Sequence, residues 1–284
     1  MSRIARRIIG LFLLTSLGSA GFLYAQFGRF SDGRLRGEQG DLAELPPEQW
    51  PDRNVGGCHL HYVSVRREPS GNGWTTDYPW GQRHLLIRLS ELTKTHVSWL
   101  TPREAPHVWL VQLMDDALFQ CPFIMASDIG TIGMSPEEAA RLRVYLEKGG
   151  FLWVDDFWGN AAWEHWTREL AKALPRSEYP IEDVPPTDPI YRTMFEVEGV
   201  PQVTSIRFWR ASGGTSTSER GPESAVPHFR AVRDKTGRIM VAMTHNTDVS
   251  DSWERETDDP EFFYQFSPRG YAFGINVILY ALTH

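Results

Sequence analysis

The chain predicts an α/β fold in which a mostly parallel sheet is covered by helices. Strand and helix signals alternate through its middle, which is the pattern of parallel strands joined by helical crossovers. The stretch from 149 to 160 carries this best: a helix ends on glycine, the apolar run 151–154 follows, and Asp155-Asp156 open a turn containing Gly159. A third signal is Asp234-Lys235-Thr236-Gly237, set between apolar runs at 229–232 and 239–244, which reads as a late β-hairpin.

The chain begins with a separate unit. Arg3, Arg6 and Arg7 precede an uncharged apolar stretch at 8–25, the layout of a signal peptide or an N-terminal membrane anchor. Those 18 residues sit at the short end for crossing a bilayer, so cleavage and anchoring both stand. Either way the expected location is extracytoplasmic (periplasmic), with the inner membrane as a partner through this segment. Residues 26–56, rich in Gly, Pro, Arg and acids without an apolar period, read as a linker to a domain at 57–284.

With 284 residues, 41% of them hydrophobic, and 11 tryptophans, the chain can bury a sizeable core. A net charge of −7, with no basic run beyond the N-terminus, excludes a nucleic-acid partner. Cys58 and Cys121 are too few for a disulfide scaffold. Spacing does not decide whether they pair, and two buried apolar cysteines are expected.

In chain order, 60–65 alternates as a first strand, and the turn-rich loop 66–81 carries Trp74, Asp77, Tyr78 and Trp80. Leucines 85, 86, 89 and 92 at helical spacing predict a helix over 82–94. Strands follow at 108–113 and 123–126. The best-signalled element is the helix after Ser135, with Pro136 in its first turn, Glu138 completing a capping box and Gly149 ending it. A helix over 161–174 stops at Pro175, and Trp163 and Trp166 within it are expected in the core. Residues 176–227 read as irregular, and 268–282 as the last helix.

Several of these stretches together resemble the bacterial domain-of-unknown-function 4159 family. They are Gly73-Trp74-Thr75-Thr76-Asp77-Tyr78-Pro79, the Pro122-Phe123 strand, the 135–150 helix, Asp155-Asp156 and Gly274-Ile275-Asn276-Val277. The resemblance covers about 57–284. It implies a class I glutamine amidotransferase-like fold, hence a flavodoxin-like sheet with helices on both faces. In such folds the Gly-Gly, strand, sharp-turn sequence delivers a cysteine nucleophile, and here Asp155 or Asp156 stands near that place. The family implies no settled activity.

Ligands of open α/β sheets gather outside the carboxyl ends of the strands, so candidate residues come from there. Asp155, Asp156 and His245 are the catalytic candidates: carboxylates as base, nucleophile or cation ligand, and the histidine as base. The same residues also suit plain turn caps and a satisfied structural histidine. Trp74, Asp77, Tyr78, Asp128 and Asp248 are the ligand-binding candidates, with Asp128 closing its strand on the same rim and the aromatic rings suited to a sugar or peptide side chain. No cofactor is expected, although the carboxylates leave a divalent metal open; no metal-binding motif is present. The expected function is a non-catalytic module that binds a protein or carbohydrate ligand. A hydrolase using the Asp/His groups, with or without a metal, is the alternative, and a structural subunit of a membrane-associated assembly is another.

Overall fold

The computed structural model describes residues 34–100 and 105–284. Its strands among these are β1 (Gly57–His61), β2 (Val63–Ser64), β3 (Val108–Gln112), β4 (Ile124–Ser127), β5 (Ile132–Gly133), β6 (Leu152–Asp155), β7 (Ile181–Asp183), β8 (His228–Arg233) and β9 (Ile239–His245). The helices are α1 (Trp80–Leu92), α2 (Pro136–Glu147), α3 (Gly159–Ala173), α4 (Ile206–Ala211), α5 (Asp251–Glu254) and α6 (Pro260–Thr283).

Seven strands form one sheet in the order β3-β1-β4-β6-β9-β8-β7. From β3 to β9 every pair is parallel, and β8 and β7 add an antiparallel edge. By position in the chain, the parallel strands run second, first, third, fourth, fifth, which is the flavodoxin-like order. The fold class read from the sequence is therefore present, hairpin included.

The two-residue period of β6 shows how the layers form. Leu152 and Val154 join a core with Leu142 and Leu146 of α2 and Trp166 and Leu170 of α3. Trp153, between them, turns the other way and meets Trp253 of α5 and Phe273 of α6 edge-on. Fully burying a large apolar side chain contributes roughly 1.5–3 kcal/mol, so a strand apolar on both faces anchors both layers. Trp166 is buried, as its spacing suggests, whereas Trp163 on the same helix stays partly open.

Helix α2 starts as its sequence dictates. Ser135 Oγ accepts from Glu138 N at 3.1 Å, and Glu138 Oε2 accepts from Ser135 N at 2.8 Å. Other expectations are corrected. The first strand breaks at Tyr62, whose hydroxyl donates to the carbonyls of Ser127 and Asp128, so 60–65 becomes β1 and β2. Cys58 and Cys121 form a disulfide, their Cα atoms 6.1 Å apart, where two free thiols were expected. Glu44–His284 is one compact unit, so residues 44–56 belong to the body and not to the linker: Leu110 N donates to Glu44 O, and Val55 N to His96 O. Of the other unit, residues 34–43 are described, with a bridge between Arg36 and Leu42. The apolar segment at 8–25 lies outside the described residues. Among those described, no helix is long and apolar enough to cross a membrane.

Candidate functional site

The chain leaves β4, β6 and β9 by one backbone solution. Asp128 (φ 49°), Asp156 (φ 50°) and Asn246 (φ 60°) each follow the last residue of their strand, and each is left-handed. Non-glycine residues rarely take this conformation; Asp and Asn tolerate it best because their short polar side chains bond locally. The turns are laced together: Asp128 N donates to Asp156 O at 3.1 Å, and Asn246 N to Phe157 O at 3.0 Å. Part of the acidity of this rim thus follows from what the turns require.

Asp155 is fully buried and organises the floor. Its Oδ1 accepts from Thr244 Oγ1 at 2.5 Å and its Oδ2 from Ser250 N at 2.9 Å. The N–H groups of Val249 and Asp156 also donate to it. Burial raises its pKa to about 6, and these donors work against that rise. Asp155 ties β6 to β9 and to the segment entering α5, which is a structural duty.

Asp156 is different. It is half-buried, and Trp158 Nε1 donates to its Oδ1 at 2.8 Å. Burial first, then the charges of Glu219 and Asp128, push its pKa well up. Asp128 is buried, with Gly73 N donating to its Oδ2 at 2.7 Å; burial and then Glu68 raise its pKa to about 8. Gly71 permits this approach, since a Cβ there would lie 2.4 Å from Asp128 Oδ2.

Asp248 is buried, and its Oδ1 accepts from Asp251 N at 2.9 Å. Burial, followed by Asp156, Asp251 and Asp77, pushes its pKa well up. Asp77 Oδ2 accepts from Ser127 Oγ at 2.6 Å, and Asp251 Oδ2 from Ile206 N at 2.9 Å. One oxygen from each of Asp77, Asp248 and Asp251 lies within 4.8 Å of the others. These three, all buried, could hold a hard, oxygen-seeking cation.

Two expected members stand elsewhere. His245 follows Thr244 on β9, so it turns to the opposite face from the Asp155 bond. Its Nε2 donates to Gly159 O at 3.0 Å, its Nδ1 accepts from Arg230 at 3.3 Å, and its ring packs on Phe157 and Trp163. Burial lowers its pKa to about 4, so it is neutral at pH 7 with both nitrogens in use. Tyr78 is buried: its hydroxyl donates to Val108 O at 3.1 Å and accepts from Glu44 N at 2.9 Å. Trp74 is half-buried, edge-on to His61 and Tyr78, and its carbonyl accepts from His59 Nε2 at 2.8 Å. The loop is pinned to the body by its own rings and offers no paired stacking platform.

Residues that periodicity did not single out complete the rim. Glu219, just beyond the Gly/Ser/Thr segment, accepts from Thr204 Oγ1 and Ser205 N and adds its charge to Asp156. Arg66 holds Glu68 and the carbonyl of Gly130, and Arg220 donates to Pro69 O. Only the three-dimensional return of residues 200–220 to the strand ends reveals Glu219. No sequence period marks it.

Chemically, the rim holds carboxyl groups able to keep or exchange protons near neutrality, or to attract a cation. It has no thiol, since both cysteines are paired, and His245 does not reach it. No curated protein matches the chain. The family model described as Domain of unknown function (DUF4159) matches residues 59–282, and the chain belongs to that family.

Proposed function

We propose that the chain is an extracytoplasmic, membrane-tethered binding module. Its ligand or partner sits in the crevice outside the carboxyl ends of β4, β6 and β9. Asp156 supports this reading most. It occupies the sharp left-handed turn between β6 and α3, where related chemistry would place a nucleophilic thiol or hydroxyl, and it is the rim carboxyl that stays partly open. His245, bonded to the carbonyl of Gly159, does not serve it as a proton carrier. Tethering and export rest on the basic and apolar residues 3–25, and the disulfide fits an oxidising compartment.

One observation favours a second reading, a metal-assisted hydrolase. The convergence of Asp77, Asp248 and Asp251 would hold the cation, with Asp156 as the nearby base.

Thermal unfolding of the full chain in neutral detergent, screened against divalent cations, sugars and peptides, tests the choice. Asp156→Asn, which keeps the left-handed turn, is run beside the wild type. A ligand at a hundredfold excess over its Kd stabilises by about 2.7 kcal/mol, several degrees for a domain of this size. The binding reading expects such a shift and its loss in Asp156→Asn. A shift given by a divalent cation alone and abolished by Asp248→Asn moves the assignment to the hydrolase. Full ligand shifts in Asp156→Asn remove the crevice from consideration.

A further inference from the structure

The aromatic side of the sheet carries a second concavity, unrelated to the acidic rim. It is a cleft of about 400 Å³ lined by Trp163, Arg176, Pro180, Ile181, Asp183 and Arg230. Its volume falls in the range of small-molecule sites, about 300–1,000 Å³. It lies between α3 and the β7 edge of the sheet.

Arg230 is held in place there. Its guanidinium lies 4.2 Å above the Trp163 ring, its Nε donates to Asp183 Oδ1 at 2.9 Å, and its Nη1 to His245 Nδ1 at 3.3 Å. A planar cation fixed on an aromatic face loses little further freedom when it binds an anion. Its Nη2 makes no hydrogen bond among the described residues. Arg176 makes neither a hydrogen bond nor an ion pair among them. The cleft therefore sets two guanidinium groups against one carboxylate, Asp183, which Arg230 already engages. In a chain of net charge −7, this is a local reversal of sign. Pro180, Ile181 and the open part of Trp163 supply apolar walls.

We propose that this cleft binds an oxyanion, a carboxylate or a phosphate, carried on a ring or a short apolar stem. The oxyanion bridges Arg176 and the Nη2 of Arg230, and the stem lies against Ile181, Pro180 and Trp163. Arginine suits both oxyanions because its fork of donors matches their paired oxygens.

Isothermal titration of the full chain in neutral detergent tests this with benzoate, phenyl phosphate, inorganic phosphate and benzylamine. At least one of the two ring-bearing anions should bind, and which one binds tighter identifies the carboxylate or the phosphate as the source. Arg176→Ala should weaken that binding at least tenfold, and Arg176→Glu should abolish it. Arg176 is exposed, so neither variant threatens the fold. Asp156→Asn should leave the affinity unchanged, which separates this site from the acidic crevice. The proposal is overturned if neither anion gives heat at millimolar concentration or if benzylamine binds as well. It is also overturned if inorganic phosphate alone matches phenyl phosphate, or if Arg176→Glu binds like the wild type.

Discussion

The acidic rim and the aromatic nest begin one residue apart. Thr244 bonds the Asp155 carboxylate on one face of the sheet, and His245 enters a nest of Phe157, Trp163 and Arg230 on the other. Both surroundings are buried, yet they solve the cost of burial in opposite ways. The rim keeps its carboxyls partly protonated and surrounds Asp155 with donors. The nest keeps its histidine neutral and lets an arginine, stacked on tryptophan, carry the charge. The contrast teaches that adjacency in a loop-and-strand sequence says little about shared chemistry once a strand has intervened.

The contrast can be broken most severely at Asp155. Asp155→Ala leaves the buried N–H groups of Val249 and Ser250 without their acceptor, while the Thr244 hydroxyl keeps only the carbonyl of Val154. The expected loss is about 3–5 kcal/mol in urea unfolding at neutral pH. A loss below about 1 kcal/mol would show that these donors find other partners and that the rim does not depend on this carboxyl.

A pH titration sharpens the contrast, because the two sides have opposite slopes. Asp128 has its pKa raised to about 8 from the usual 3.8. The folded state then holds a proton that the unfolded chain has released, so this contribution is full below about pH 4 and fades as pH rises through 8. His245, lowered to about 4 from 6.5, contributes fully above pH 6.5 and loses that contribution as pH falls toward 4. Between pH 5 and 8, Asp128→Asn should remove about 3–4 kcal/mol of alkaline loss in urea unfolding, leaving the acid side as it was. An unchanged alkaline slope in that variant would mean Asp128 is ionised in the folded protein.

The smallest effect is expected at Arg230. Arg230→Ala removes the stack on Trp163 and leaves His245 Nδ1 without its donor, a loss of about 1 kcal/mol. The exposed Asp183 partner adds little. Above about 3 kcal/mol, the nest would instead be a folding centre comparable to Asp155.

Much of the architecture was legible because it follows local rules. The Ser135 cap box, the apolar strands and the Asp234–Gly237 hairpin signal all correspond to formed elements. The misses have physical causes. The last helix begins at Pro260, capped by Asp259, and runs through Pro268, which was read as its start. An interior proline clashes with the carbonyl four residues back, here that of Tyr264, itself 78% exposed and so able to tilt toward water. Asp259-Pro260 carried the better start signal. Of the site, the strand-end aspartates were legible from topology. The separation of His245 from them needed the pleat of β9. Glu219 needed the path of a segment without period, and Tyr78 looked available for binding only because sequence does not show that its hydroxyl is already bonded at both ends.

The Cys58–Cys121 link encloses the aromatic loop, α1 and β3 within a covalent ring of chain. A protease that cuts once anywhere between those two positions would therefore release nothing. The nicked molecule would migrate as one species until reductant is added, and the loop bearing Trp74 could be opened by cleavage while both halves stay attached to the same body.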